Sequence, residues 1–198
     1  GNVTSTGSDA LFVATSGAGI ATANINSGAT VSGFTAGVAV NGATNAVNVN
    51  GTLQTSDPTA PSMLVFGAGG PTTVSIGSTG HLNGFATFLG GNDVLNNSGV
   101  WNATGITDFG AGTDALNNQS SGTINLTDNA TFANLETFSQ TGRINLSTFT
   151  LTGPAFAFSN AGTITTTGSA GIAGFTTLSN SGELDLGPGT LTVPAAVF

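Results

Sequence analysis

The chain has 198 residues, nine carboxylates, one Arg and neither Lys nor Cys, so its formal net charge is −8 and its pI is near 4.1. Gly, Thr, Asn and Ser make up more than half of it, and charged residues make up 5%, against about 25% in an ordinary globular domain. Binding to nucleic acid or to anionic lipid requires clusters of basic residues, and disulfides and thiolate metal sites require Cys, so these properties are excluded.

The apolar content nevertheless predicts a folded chain. Disordered sequences are poor in apolar residues and rich in charge, whereas this one is 38% apolar and contains 13 Phe. Its longest apolar runs, such as residues 10–14, are far too short for a membrane span, and we predict no membrane insertion. No signal-peptide pattern opens the chain, so we expect that any export signal has been removed or lies outside it.

The N-terminal part of the chain, over 1–79, repeats loosely. Apolar segments recur there at two nearly equal spacings, from Ala10 to Gly37 and from Gly37 to Met63, and these spacings indicate long, irregular coils. An outward loop is predicted over residues 56–61, because its two prolines cannot donate hydrogen bonds to a strand ladder.

A more regular unit of about 20 residues occupies residues 80–198. Its marker is a Gly that is followed, two positions later, by an apolar residue. Counting one earlier instance, the glycines are Gly51, Gly80, Gly99, Gly122, Gly142, Gly162 and Gly182, and the apolar residues are Leu53, Leu82, Trp101, Ile124, Ile144, Ile164 and Leu184. The position between them is mostly polar, and this alternation predicts one half-buried strand per unit. The Gly fits a tight corner that excludes a Cβ.

Two further apolar positions recur in each unit. One is represented by Phe88, Phe109, Phe138, Phe158 and Leu178, and the other by segments such as residues 148–151 and 190–193. Two or three short strands per unit, without any helical period, predict an all-β parallel β-solenoid of about nine coils, stacked about 4.8 Å apart. We expect one continuous solenoid over residues 1–198, with longer coils in 1–79.

The repeats resemble those of bacterial autotransporter passengers. The resemblance covers nearly the whole chain and rests on segments such as 37–54, 89–102, 134–146 and 174–186. It implies a right-handed parallel β-helix displayed outside a Gram-negative cell, commonly for adhesion or aggregation. The chain contains no membrane-barrel translocator of the kind found in full-length members, which is consistent with a processed fragment.

The strongest chemical signal is a repeated G-x-D-x-L motif. It occurs at residues 91–95 and 112–116, which places Asp93 and Asp114 one repeat unit apart, on neighbouring coils. The motif resembles half of the repeat that binds calcium in β-rolls, so these two residues are candidate calcium ligands. Calcium is the one cofactor that the sequence suggests. The alternative is that both carboxylates cap turns by accepting hydrogen bonds from backbone amides.

The remaining polar residues give weaker chemical signals. His81 and Arg143 occupy the mostly polar position of the unit and are expected at the surface. Asp93, Asp108 and Asp114 fall on neighbouring coils and leave a polysaccharide-acting enzyme as a third hypothesis, because glycoside hydrolysis requires two facing carboxylates. Asparagines on adjacent coils are expected to form stacked amide ladders; the candidates are Asn96, Asn97, Asn117 and Asn118.

The sequence therefore favours an extracellular or cell-surface structural protein without catalytic activity. Phe198, predicted to continue the column after Leu178, leaves an apolar edge suited to end-to-end stacking. The expected partners are copies of the chain, in a homo-oligomer or fibre. The second hypothesis is a monomeric adhesin passenger that binds a cell-surface or glycan ligand.

Overall fold

The predicted fold class is confirmed: a computed structural model shows an all-β parallel β-solenoid of about eight turns with rungs of about 22 residues. It describes residues 1–66 and 70–197, with backbone alone at 196 and 197. Within these ranges the structure contains no helix, and therefore none that is long and apolar enough to cross a membrane.

Twenty-five strands are described. In chain order they are β1 (Val3–Thr4), β2 (Leu11–Ala14), β3 (Ile20–Ile25), β4 (Thr30–Gly33), β5 (Val38–Asn41), β6 (Thr44–Val49), β7 (Thr52–Thr55), β8 (Met63–Val65), β9 (Thr72–Ile76), β10 (His81–Asn83), β11 (Ala86–Thr87), β12 (Val94–Asn97), β13 (Val100–Asp108), β14 (Ala115–Asn118), β15 (Thr123–Ala133), β16 (Thr137–Gln140), β17 (Arg143–Ser147), β18 (Thr150–Thr152), β19 (Ala157–Asn160), β20 (Thr163–Thr166), β21 (Ser169–Ala173), β22 (Thr177–Asn180), β23 (Glu183–Asp185), β24 (Thr190–Thr192) and β25 (Ala196–Val197).

The strands form three parallel faces. The first face contains β1, β4, β7, β10, β17, β20, β23 and the first halves of β13 and β15. The second face contains β2, β5, β8, β11, β18, β21, β24 and the second halves of the same two long strands. The third face is a nine-stranded sheet from β3 to β25. Each passage of the chain that begins on the first face is called a coil. Coils 1 to 9 begin with β1, β4, β7, β10, β13, β15, β17, β20 and β23, and eight turns separate the first of these strands from the last.

The Gly-x-apolar repeat forms the inward column of the first face. Leu53 pairs with Leu82, Leu82 with Trp101, and the pairing continues through Ile164 to Leu184. The residues of this column from Leu53 to Ile164 are at most 1% exposed. The alternation that predicted these strands is therefore confirmed.

The glycines at the corner before this face are required by close contact between coils. A Cβ on Gly162 would lie far inside van der Waals contact with the carbonyl oxygen of Gly142, and Gly182 stands in the same relation to Gly162. Neither Gly162 nor Gly182 has a positive φ, so the constraint is crowding and not backbone conformation.

Aromatic rings reinforce the centre of the solenoid. The indole of Trp101 is fully buried, stacks on Phe132 with 5.1 Å between ring centroids, and donates from Nε1 to the carbonyl oxygen of Gly84 at 2.9 Å. Phe138 stacks on Phe158 at 4.8 Å. Trp101 therefore reports on the core by fluorescence.

Two register predictions are wrong. The spacing of the apolar segments pairs Gly37 with Met63, whereas the structure pairs Val38 with Met63. This register buries Met63 and Val65 and turns Phe66 outward, because a one-residue slip exchanges the two sides of a strand. At the last coil, Leu178 pairs with Ala196, whereas the sequence spacing predicts that it pairs with Phe198. Phe198 itself lies outside the described residues.

The residues that the sequence spacing assigns to one recurring apolar position, from Phe88 to Leu178, belong to two separate columns in the structure. Phe88 stacks on Phe109 at 5.1 Å at the end of the second face. Phe138, by contrast, pairs with Leu116 on the third face, and Leu116 pairs with Leu95. Sequence spacing alone does not separate positions that lie on either side of the same corner.

Amide ladders connect the coils, as predicted. Asn117 donates from Nδ2 to Asn96 at 2.9 Å, and Asn97 donates to Asn118 at 2.8 Å inside the core. A longer ladder, not foreseen, runs along the outside of the first face through Gln54, Asn83, Asn102, Asn125 and Asn145. These bonds satisfy polar side chains without introducing charge.

We predict that Gly162→Ala lowers the free energy of unfolding by about 1–3 kcal/mol or more, because the added methyl group displaces backbone of the neighbouring coil. Urea unfolding followed by Trp101 fluorescence measures the change. The matched control is Gly7→Ala, whose methyl group would meet nothing within 4 Å. An equal effect of the two substitutions would contradict the crowding explanation.

Candidate functional site

Asp93 and Asp114 lie in one column at the corner that precedes the third face. Each is the residue before a third-face strand, β12 or β14, and these strands pair from Val94 with Ala115 onward. Both side chains are fully buried. Glu136 occupies the equivalent position before β16 and is exposed. We call Asp93, Asp114 and Glu136 the acidic column.

Each carboxylate of the acidic column accepts a hydrogen bond from the backbone of the preceding coil. The amide of Thr72 donates to Oδ1 of Asp93 at 2.6 Å, and the amide of Asp93 donates to Oδ1 of Asp114 at 2.7 Å. The amide of Asp114 donates to Oε2 of Glu136, also at 2.7 Å. The carboxylates thus accept from backbone amides, as the turn-capping alternative predicts, but these amides lie one coil away and not in the same turn.

The second carboxylate oxygens of the two aspartates have no such partner. Oδ2 of Asp93 and Oδ2 of Asp114 are buried without a hydrogen bond among the described residues, as is Oδ1 of Asn45 two coils earlier in the same column. A buried and unpaired carboxylate oxygen is costly when ionised. Ionisation of Asp93 and Asp114 is therefore less favourable here than it is in water.

The pKa values shift accordingly. Burial raises the pKa of Asp93 to about 6, opposed by the Thr72 amide and assisted by the charge of Asp114. Burial also raises the pKa of Asp114, against the hydrogen bond from the Asp93 amide and with the help of the Glu136 charge. Neighbouring like charges and loss of water act in the same direction.

The acidic column offers few ligands to calcium. The two unpaired Oδ2 atoms would supply two of the six to eight oxygens that this ion takes. In residues 1–66 and 70–197, no three Asp, Glu or His side chains are grouped so as to hold a metal ion. The remaining ligands would have to be carbonyl oxygens or water, and calcium binding at Asp93 and Asp114 stays a prediction.

The other candidate residues lie elsewhere. His81 and Arg143 are exposed on the first face, where His81 pairs with Thr52 and Val100. Asp108 lies on the outside of the second face, where its Oδ1 accepts hydrogen bonds from the Gly110 amide and the Asn134 side chain. The structure thus separates the outward Asp108 from the buried Asp93 and Asp114.

A cavity of about 370 Å³ opens beside the exposed end of the acidic column. It is lined by Glu136, Thr137, Phe138, Ser139, Phe156, Ala157 and Ser159. Here β16 and β19 pair only over their last two residues, whereas β14 and β16 pair over four. The ladder pairing is thus absent at the beginnings of the two strands, although Phe138 and Phe158 still stack there at 4.8 Å, and residues of both beginnings line the cavity.

Exposed apolar side chains define a second surface. Among the described residues, all seven large apolar side chains found exposed lie between Val3 and Ile106, in coils 1 to 5. Three of them lie on the second face or directly after its strands, in coils 1, 3 and 4, and we call Phe12, Phe66 and Leu89 the apolar row; Phe66 and Leu89 stand two positions further along their coils than the column of Phe12. The rings of Phe12 and Phe66 meet edge to face at 6.1 Å.

Comparisons with known proteins identify no relative. No family model matches the chain, no curated protein is similar to it in sequence, and no solved structure is similar to it. The β-solenoid fold and the side-chain geometry therefore carry the functional argument.

Sequence reasoning missed both the cavity and the apolar row. Glu136 does not follow the G-x-D-x-L motif, although its position one repeat unit after Asp114 was a usable signal. The apolar row depends on the register of coil 3, which the sequence spacing misplaced by one residue.

We predict that the protein becomes more stable on mild acidification. Because the pKa of Asp93 is higher in the folded than in the unfolded chain, its contribution is fully present below about pH 4 and is lost as the pH rises through about 6. Lowering the pH from 7 to 4.5 should therefore raise the free energy of unfolding by about 2 kcal/mol, as measured by urea unfolding.

Asp93→Asn should raise the urea midpoint at pH 7 and flatten this pH dependence, because its amide oxygen can still accept from Thr72. The control is Asp128→Asn, which removes the same charge from an exposed position and should leave the pH dependence intact. A stability that falls steadily from pH 7 to 4.5 in the unsubstituted protein would refute the assignment.

Proposed function

We propose that the protein is a non-catalytic structural element of an extracellular matrix or cell surface, and that its solenoid associates with copies of itself. The observation that carries the proposal is the apolar row. Phe12 is 56% exposed and Leu89 is 47% exposed on a solenoid whose other outward positions are mostly Thr, Ser and Asn. The rings of Phe12 and Phe66 are in contact, and contiguous exposed apolar surface commonly marks an interaction site.

The surroundings of the apolar row favour a second copy as the partner. Asp108 lies on this face and Asp9 lies two residues before β2, whereas the positions in register beside Phe12 on the next coils, Ala39, Leu64 and Thr87, are uncharged. Two copies can therefore approach through this face with little charge repulsion, although each carries a net charge of −8. The contact would be lateral, through the sides of the two solenoids.

An extracellular or bacterial cell-surface location is part of the same proposal. It rests on the resemblance of the repeats to autotransporter passengers, together with the β-solenoid fold. A repeated rod in which only 5% of the residues are charged fits best into a fibre or a biofilm matrix. Amide ladders and stacked apolar columns give such a rod the same cross-section over many coils.

The second candidate function is that of an adhesin passenger that binds a surface ligand as a monomer. The cavity between β16 and β19 favours it, because the cavity lies on the side of the rod, on coils 6 and 7, away from the apolar row. The two functions are separable by experiment, since they use different faces.

We predict that the protein self-associates in sedimentation equilibrium and that the double substitution Phe12→Ser/Phe66→Ser weakens this association at least tenfold. Burial of a Phe side chain contributes about 1.5–3 kcal/mol, and about 1.4 kcal/mol corresponds to a tenfold change. The control is Ile20→Ser, which removes an exposed apolar side chain from the third face and should change little.

A protein that remains monomeric at millimolar concentration would contradict self-association. Association that survives the double substitution unchanged would exclude the apolar row as the contact, and electron microscopy would then show whether the copies stack end to end.

A further inference from the structure

The cavity on coils 6 and 7 has the composition of a binding site for a sugar ring. Its lining residues include one carboxylate residue, three hydroxyl residues, Ala157, the half-buried Phe156 and the buried Phe138, and the described lining includes no basic side chain. Its volume of about 370 Å³ lies at the lower end of the range for ligand pockets, about 300–1,000 Å³. It is therefore large enough for a small polar ligand with one apolar face.

Phe156 supplies the apolar wall. Its ring is half-buried and is held edge to face against the buried ring of Phe175, with 5.3 Å between centroids. A supported aromatic ring at the rim of a polar cavity can stack on the apolar face of a pyranose ring. The hydroxyls of Ser139 and Ser159 can exchange hydrogen bonds with the hydroxyls of the same ring, and the Thr137 hydroxyl, which donates to the carbonyl oxygen of Asp114, can accept one.

Glu136 determines the charge that the cavity accepts. Its Oε2 is held by the Asp114 amide, which fixes the carboxylate at the wall, and Oε1 makes no hydrogen bond within the described residues. Asp114 stands directly behind it in the acidic column. An anionic sugar would be repelled by this carboxylate, whereas an ammonium group would be attracted to it.

We propose that this cavity binds one residue of a glycan that carries a free amino group, with the ammonium on Glu136 and the ring against Phe156. The site is independent of self-association, because it lies on the third face of coils 6 and 7 and the apolar row lies on the second face of coils 1 to 4. Binding would attach the rod to a cationic polysaccharide.

The test is calorimetric titration at pH 6, where a sugar amine is protonated, with three probes: a glucosamine hexamer, an N-acetylglucosamine hexamer and a galacturonate hexamer. We expect the glucosamine hexamer to bind, the N-acetylated hexamer to bind at least tenfold more weakly, and the galacturonate hexamer to show no binding. Glu136→Gln should weaken glucosamine binding at least tenfold, since the Gln oxygen can still accept from the Asp114 amide.

The matched control is Glu183→Gln, which removes an exposed carboxylate from the first face and should leave binding unchanged. Phe156→Leu keeps apolar volume, removes the ring and should weaken binding of both glucosamine-based probes. Equal effects of Glu136→Gln and Glu183→Gln, or a lysine hexamer that binds as tightly as the glucosamine hexamer, would reduce the interaction to net charge and overturn the proposal.

An absence of binding by the glucosamine hexamer would overturn it as well. The Phe12→Ser/Phe66→Ser variant separates this outcome from the proposed function, because it should bind the sugar normally while its self-association is weakened.

Discussion

Stacking of each coil on its neighbours is the constraint on which the rest of the structure depends. Coil 3, for example, buries Leu53, Met63, Val65, Val74 and Ile76, and burial on this scale cannot offset the entropy of ordering about 22 residues. The columns that run from coil to coil, such as Leu82, Trp101 and Ile124, are therefore the source of stability. The same requirement explains the corner glycines, since the distance between coils leaves no space for a Cβ at Gly162.

Close stacking also determines whether buried polar side chains find hydrogen-bond partners. Asn97 and Asn118 are fully buried and remain satisfied because each amide meets its equivalent one coil away. Asp93 and Asp114 occupy the same kind of position but stack carboxylate on carboxylate, which leaves one oxygen of each unpaired. The amide ladders thus stabilise the rod without regard to pH, whereas the acidic column makes its stability pH-dependent. The acidic column reaches the surface at Glu136, whose carboxylate is exposed.

The fold could be predicted from the sequence because the Gly-x-apolar repeat records strand alternation and coil length at once. Residues such as Ile144 and Ile164 stand where the spacing placed them. Register on the second face could not be predicted in coil 3, because four consecutive apolar residues from Met63 to Phe66 allow either alternation. The motif containing Asp93 and Asp114 indicated adjacency, but the burial that sets their chemistry depends on packing at the corner. The cavity lies where the ladder pairing between β16 and β19 is incomplete, for which the sequence carries no periodic signal.

Continuous stacking through the middle of the rod is the central claim, and hydrogen exchange measured by mass spectrometry on the dilute protein tests it most directly. We predict that amides in the strands of all three faces from coil 4 to coil 8 exchange slowly and to a similar extent, because each coil is held by the two beside it. Fast, unprotected exchange in the third-face strands β12, β14 and β16, alongside slow exchange in the first-face strands β13, β15 and β17, would contradict it.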